Sequence, residues 1–271
     1  MPGSVFEIIR EDFAAELGAI RELVQTFDGG GKLAKTRLAA ANSATLLVAA
    51  TFEEFVREMA REHARAVVAR IASFDRLPSK LVSTAWKRSM ESLARVRFDV
   101  DQPAREGLMV DTQVRFSVVY EFVKGDLTKD IYRDLIHNEN NMRPGELNAM
   151  FTVAGLSNIC LKVCDKPTIL TFFGESEAGK AHGKLIAALE EFFERRNSIA
   201  HSLNAGQSNG PEQIFNDLDM LLAFSEAMSR SLDALFQHQA GGVNEPALGI
   251  GGAASTPAQG VPAAAPESGP C

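Results

Sequence analysis

At 271 residues with 45% hydrophobic and 23% charged side chains, the chain has the apolar surface for a real core, in one sizeable domain or two small ones. A formal net charge of −7 excludes broad nonspecific adhesion to nucleic acid, which needs an excess of Lys and Arg to displace counterions, so any RNA site has to be a local basic groove on an acidic body. Three cysteines, none in a C-x-x-C pair, exclude a disulfide framework and a zinc-finger pattern, and no apolar run reaches membrane-spanning length.

The opening residues place Glu7, Glu11 and Asp12 among the first apolar positions, unlike the basic segment of a signal peptide, and the expectation is a soluble cytoplasmic protein. Apolar residues fall at helical spacing from Val5 to about Thr26, and Gly29-Gly30-Gly31 then breaks the chain. A long second helix begins near Lys32. Along it Phe52, Phe55, Val56 and Met59 form one stripe, and Glu53, Glu54, Arg57, Glu58, Arg61 and Glu62 fill the opposite face. A third helix follows Pro78, which suits a first-turn position, and runs through Trp86 and Leu93.

The middle of the chain is ambiguous. Val96 to Val100 and Val114 to Val123 are rich in Val and Phe with partial alternation, readable as short strands or buried helical segments, with helix favoured for the second. The polar patch His137-Asn138-Glu139-Asn140-Asn141-Met142-Arg143 reads as a solvated turn ahead of a helix beginning near Pro144, with Glu139, Asn141 and Arg143 as candidate contacts to a substrate. Cys160 and Cys164 are four apart and could share a helix face, with His182 as a distant third ligand, but two apolar thiols in a core are the simpler reading. No metal site and no cofactor are expected.

Residues Gly174 to Lys180 fit most of a P-loop, and Thr168 to Phe173 before them read as a strand. Three requirements fail together: the residue that should ligate Mg²⁺ is Ala181, Glu175 and Glu177 would face the phosphates, and the further strands of a parallel sheet are missing. After Gly179 a helix carries Leu185, Leu189, Phe192, Ile199 and Leu203 on one stripe, with Arg196 in the same row. A second run at Ile214, Leu218, Leu221, Met228, Leu232 and Leu235 pairs with it as an antiparallel hairpin through the loop at Asn204 to Pro211. From about Ala240 the chain turns rich in Gly, Pro and Ala, a composition that predicts a disordered tail. The expected divisions are residues 1–34 (helix and Gly-rich linker), 35–239 (helical domain) and 240–271 (tail).

Chemistry concentrates at Arg195-Arg196-Asn197-Ser198-Ile199-Ala200-His201. A guanidinium holds a phosphate through two parallel charge-assisted hydrogen bonds, and an imidazole moves a proton to or from a ribose hydroxyl. Those groups suffice for RNA cleavage without a metal, with Arg196 and His201 catalytic, Asn197 supporting and Arg195 a further substrate contact. On an ideal helix residues five apart diverge by about 140°, so Arg196 and His201 reach one phosphate only if the helix ends or kinks between them, or if two copies of the motif meet across a dimer. The dimer is favoured. Asn197 and His201 share a face, which would let the amide orient the imidazole. The bland reading has Arg196 snorkelling at a helix edge and His201 satisfying last-turn carbonyls. The chain contains a second Arg-His spacing, Arg57 and His63, expected to have a surface or core-edge role only.

The motif Arg196-Asn197-x-x-x-His201 resembles the signature of the HEPN superfamily. Asn42 to Phe55 resembles the helix that opens HEPN domains of the RiboL-PSP-associated type, and the patch His137 to Glu146 is similar to a segment of the same group. The likeness spans roughly residues 35 to 237, with Ser202 standing where the family often has a Gly-like residue. It implies an all-α, up-and-down helical bundle that dimerises and cleaves RNA, in defence against invading nucleic acid or in a toxin system with an antitoxin partner. Some members are binding or scaffold modules without catalysis, and that is the alternative.

Overall fold

The computed structural model describes residues 3–28, 31–137, 141–201 and 210–237. Among them the regular structure is helical: α1 (Val5–Asp28), α2 (Ala34–Ala69), a 3₁₀ turn (Phe74–Arg76), α3 (Ser79–Ala94), α4 (Gln102–Val123), α5 (Tyr132–Leu135), α6 (Pro144–Thr152), α7 (Ile159–Val163), α8 (Pro167–Phe173), α9 (Ala178–His201) and α10 (Pro211–Gln237). The all-α architecture expected from the periodicity is the one observed. None of these helices is long and apolar enough to cross a membrane. Glu139, Ser202, Leu203, most of the loop before Pro211 and the Gly/Pro/Ala-rich segment from Ala240 lie outside the described residues.

Phe52 of α2 stands at the centre of the bundle. Its ring, wholly buried, lies within 6.4 Å of the rings of Phe13, Phe55, Phe193 and Phe224, so one side chain joins α1, α2, α9 and α10. Phe13 and Phe55 stack at 4.3 Å, and truncating a ring at such a junction typically costs about 3–5 kcal/mol. α1 belongs to the same core, burying Phe6, Phe13, Leu17, Ile20 and Val24 against α2 and α10. Its first turn is capped by Ser4, whose Oγ accepts from the Glu7 N–H at 3.0 Å and donates to Asp233 of α10 at 2.9 Å.

The exposed face of α2 is an ion-pair ladder in which Arg57 meets Glu53 and Glu54, Arg61 meets Glu54 and Glu58, and Arg65 meets Glu62. His63, expected at the surface or core edge, is instead 3% exposed, its ring 5.8 Å from Phe151 and 5.7 Å from Phe236. Burial pushes its pKa down to about 4, and its Nδ1 has no hydrogen-bond partner. The α2 period carries position 63 round to the apolar stripe of Phe52, Val56 and Met59, which the polar identity of the residue conceals.

Two expected elements differ. Thr168 to Phe173 forms the helix α8 and not a strand: Pro167 occupies the first turn, and Gly174 ends the helix at φ +62°. The Glu175 N–H then donates to the Leu170 carbonyl at 2.9 Å, closing a left-handed helix stop where a phosphate loop would have to open. Lys180 pairs with Glu177 at 2.8 Å, which completes the case against a P-loop. Val96 to Val100 is irregular, with Phe98 and Val100 exposed, and Val114 to Val123 is helical within α4 as favoured. Pro78 stands one residue before α3, capping it from outside the first turn. Cys160 and Cys164 are buried, and the apolar surroundings push both thiols up to about 12.

Candidate active site

α9 is an unbroken helix from Ala178 to His201, so the less favoured alternative of an end or kink between Arg196 and His201 is not what is seen. No Gly or Pro interrupts it after Gly183. Leu185, Leu189, Phe192 and Phe193 anchor it in the core, and the 4-3-4 spacing brings Arg196 next in the row, where it leaves the core half-buried. His201, the last residue of α9, is exposed.

The two adjacent arginines have opposite electrostatic fates. Arg195 turns to α10, where its Nη2 donates to Asp217 Oδ1 at 2.6 Å and Gln213 donates to the same oxygen at 2.9 Å. Burial raises the Asp217 carboxyl above its usual range, and Arg195 and Gln213 pull against that. Arg195, expected as a substrate contact, thus has its charge committed to a structural clamp. Arg196 has no carboxylate partner among the described residues. Its Nη1 donates to the neutral Asn197 Oδ1 at 3.2 Å, and its Nε, like that of Arg195, is buried without an acceptor.

The motif stands on the last two turns of a late amphipathic helix, where the resemblance puts it, and the RiboL-PSP-HEPN family model matches residues 16–234. The chain belongs to the RiboL-PSP-HEPN family. The match begins inside α1, earlier than the motif resemblance at residue 35, in keeping with the packing of α1 into the common core. No protein of curated function and no solved structure matches the chain.

In this HEPN domain the polar patch ahead of α6 is tied to α9. Asn141 Nδ2 donates to Asn197 Oδ1 at 2.7 Å, so that oxygen accepts from both Asn141 and Arg196. Arg143 pairs with Glu190 at 2.6 Å, two turns before Asn197 on the same face. Asn141 to Arg143 are therefore held against α9, with Met142 buried between the two contacts, while the turn expected over residues 138–140 lies outside the described residues. Asn197 directs its oxygen to the arginine and to Asn141, and no hydrogen bond joins it to His201 among the described residues. Asp217 and Glu190 were not foreseen as partners. A signal for Asp217 exists: it is an acid placed within the buried row Ile214, Leu218 and Leu221, a position that calls for a cation.

Proposed function

We propose that this HEPN protein is a metal-independent endoribonuclease acting as a homodimer in the cytoplasm, with Arg196 and His201 of two copies facing one cleft. The reading is carried by Arg196: beside an arginine neutralised by Asp217, it keeps an uncompensated positive charge held by a neutral amide. A guanidinium so placed is free to bind phosphate. Within one copy α9 directs Arg196 and His201 about 140° apart, and a second copy supplies the missing half of each site.

The chemistry balances with the groups of the protein and the RNA. His201 accepts the proton of the ribose 2′-hydroxyl, the 2′-oxygen attacks the adjacent phosphorus, and the bond to the 5′-oxygen breaks as that oxygen takes up a proton. Arg196 stabilises the charge on the phosphorane oxygens, while Asn197, itself held by Asn141, fixes the guanidinium. The products carry a 2′,3′-cyclic phosphate and a 5′-hydroxyl. An activity of this kind suits phage defence or a toxin restrained by an antitoxin.

A non-catalytic RNA-binding or scaffold module is the second reading, favoured by the divergence of Arg196 and His201 in a single copy. Incubation of RNA with the protein in EDTA separates the two. The nuclease yields cyclic-phosphate ends, lost in both Arg196→Ala and His201→Ala. Intact RNA with a folded protein would transfer the weight to the binding module.

A further inference from the structure

The described face with most apolar surface in water is on α4, away from the Arg196 site. α4 has apolar residues on more than one side, so its inner contacts leave some of them uncovered. Its inner side, with Val119 and Phe122, is closed by α3 and by Phe74 of the 3₁₀ turn. α3 is its one substantial helical neighbour, and the first half of α4, from Gln102 to Val114, contains no buried residue. Met109, Val110 and Val114 are 58%, 63% and 56% exposed, and Phe116 and Tyr120 stack on each other at 5.7 Å while still largely in water. Met109, Val110 and Phe116, with Phe98 and Leu93, border an open groove of about 670 Å³.

We propose that this face is covered by the same face of a second copy of the chain. Area supports it. Six side chains with about half of their surface exposed present on the order of 600 Å² per copy, the upper end of what a lone soluble protein displays. Two such faces bury roughly 1,200 Å², the threshold for a specific association. Charge supports it as well. The chain as a whole has a net charge of −7, which repels a second copy from most directions. α4 itself sets Arg105 and Arg115 against Glu106, Asp111 and Glu121, and of these charges only Glu106 lines the groove beside Met109, Val110 and Phe116. A near-neutral helix with one carboxylate at a mainly apolar groove repels its own copy only weakly and does not select a strongly charged partner. The inference is independent of the nuclease reading, because α4 has no substantial contact with α9.

Sedimentation of the full chain over a concentration series, without RNA, tests it. Val110→Glu with Val114→Glu places two carboxylates in the face at positions already more than half exposed, so the fold tolerates them. The double variant is expected to lower the assembly by one step, with at least a tenfold rise in the dissociation constant. Leu47→Glu, at an apolar position on α2 that is 47% exposed, is expected to leave it unchanged. Helical circular dichroism should be the same in all three. A wild-type chain that is monomeric throughout overturns the proposal. So does an assembly that withstands the α4 double variant and yields only to Ala200→Glu on α9, since that would place the contact at the Arg196 site alone.

Discussion

α2 and α9 both have an arginine followed within two turns by a histidine, and the two helices put those residues to opposite use. On α2, Arg57 is held by Glu53 and Glu54, and His63 is enclosed by Phe151 and Phe236. On α9, Arg196 has no carboxylate partner among the described residues, and His201 is exposed at the helix end. The order of residues is similar, but the surroundings are not. What distinguishes the proposed site on α9 is that no acid pairs with the guanidinium among the described residues, together with exposure of the imidazole.

The largest contrast should appear in RNA cleavage. Arg196→Ala and His201→Ala are each expected to lose roughly 10²-fold or more, the scale of a removed oxyanion donor or general base. Arg57→Ala should leave the rate unchanged and cost stability on the order of 1 kcal/mol, because it removes the partner of Glu53, a carboxylate only 13% exposed. Equal losses in Arg57→Ala and Arg196→Ala would erase the distinction between the helices.

His63 sharpens the contrast through pH. Its folded pKa, about 4, lies below the ordinary 6.5, so between these values the unfolded chain binds a proton that the native one refuses. Stability is complete above pH 6.5 and is lost as pH falls towards 4, by a total on the order of 3 kcal/mol from this residue. Urea unfolding of wild type and His63→Leu at pH 7 and pH 4.5 measures it. The variant should lose most of the difference between the two pH values, and an identical acid dependence in both proteins would count against a buried neutral imidazole.

Much of this was legible from the order of residues. The stripes of Phe52, Phe55, Val56 and Met59 and of Leu185, Leu189 and Phe192 follow the helical period and are the core; the same period puts Arg196 in line with them. Thr168 to Phe173 misled because Ile, Thr and Phe favour strands, whereas Pro167 and Gly174 at its ends were the stronger helix punctuation. α4 was readable as a helix but not by its face, since its apolar residues lie on more than one side of it. The bond from Asn141 to Asn197 spans 56 positions of sequence, and no local pattern predicts which distant amide meets which. Arg195 and Arg196 are indistinguishable as letters, and only the position of Asp217 on α10 separates them.

That separation can be broken by one atom. Asn197→Asp keeps the oxygen that accepts from Asn141 and Arg196 but makes it a carboxylate, giving α9 the kind of counterion that Arg57 has on α2. If the free charge of Arg196 binds phosphate, cleavage should fall about tenfold, mainly in KM, for a loss near 1.4 kcal/mol, with the fold intact. Asn141→Ala makes the complementary change, removing the brace and leaving the charge. Its expected cost is smaller, about 1 kcal/mol or a few degrees in Tm, with a few-fold loss of rate from a less firmly held guanidinium. Stability with impaired cleavage in Asn197→Asp, set against modest losses in both for Asn141→Ala, would assign charge to Arg196 and geometry to the amide pair. An Asn197→Asp protein that cleaves like wild type would show that Arg196 acts by position and not by its unbalanced charge.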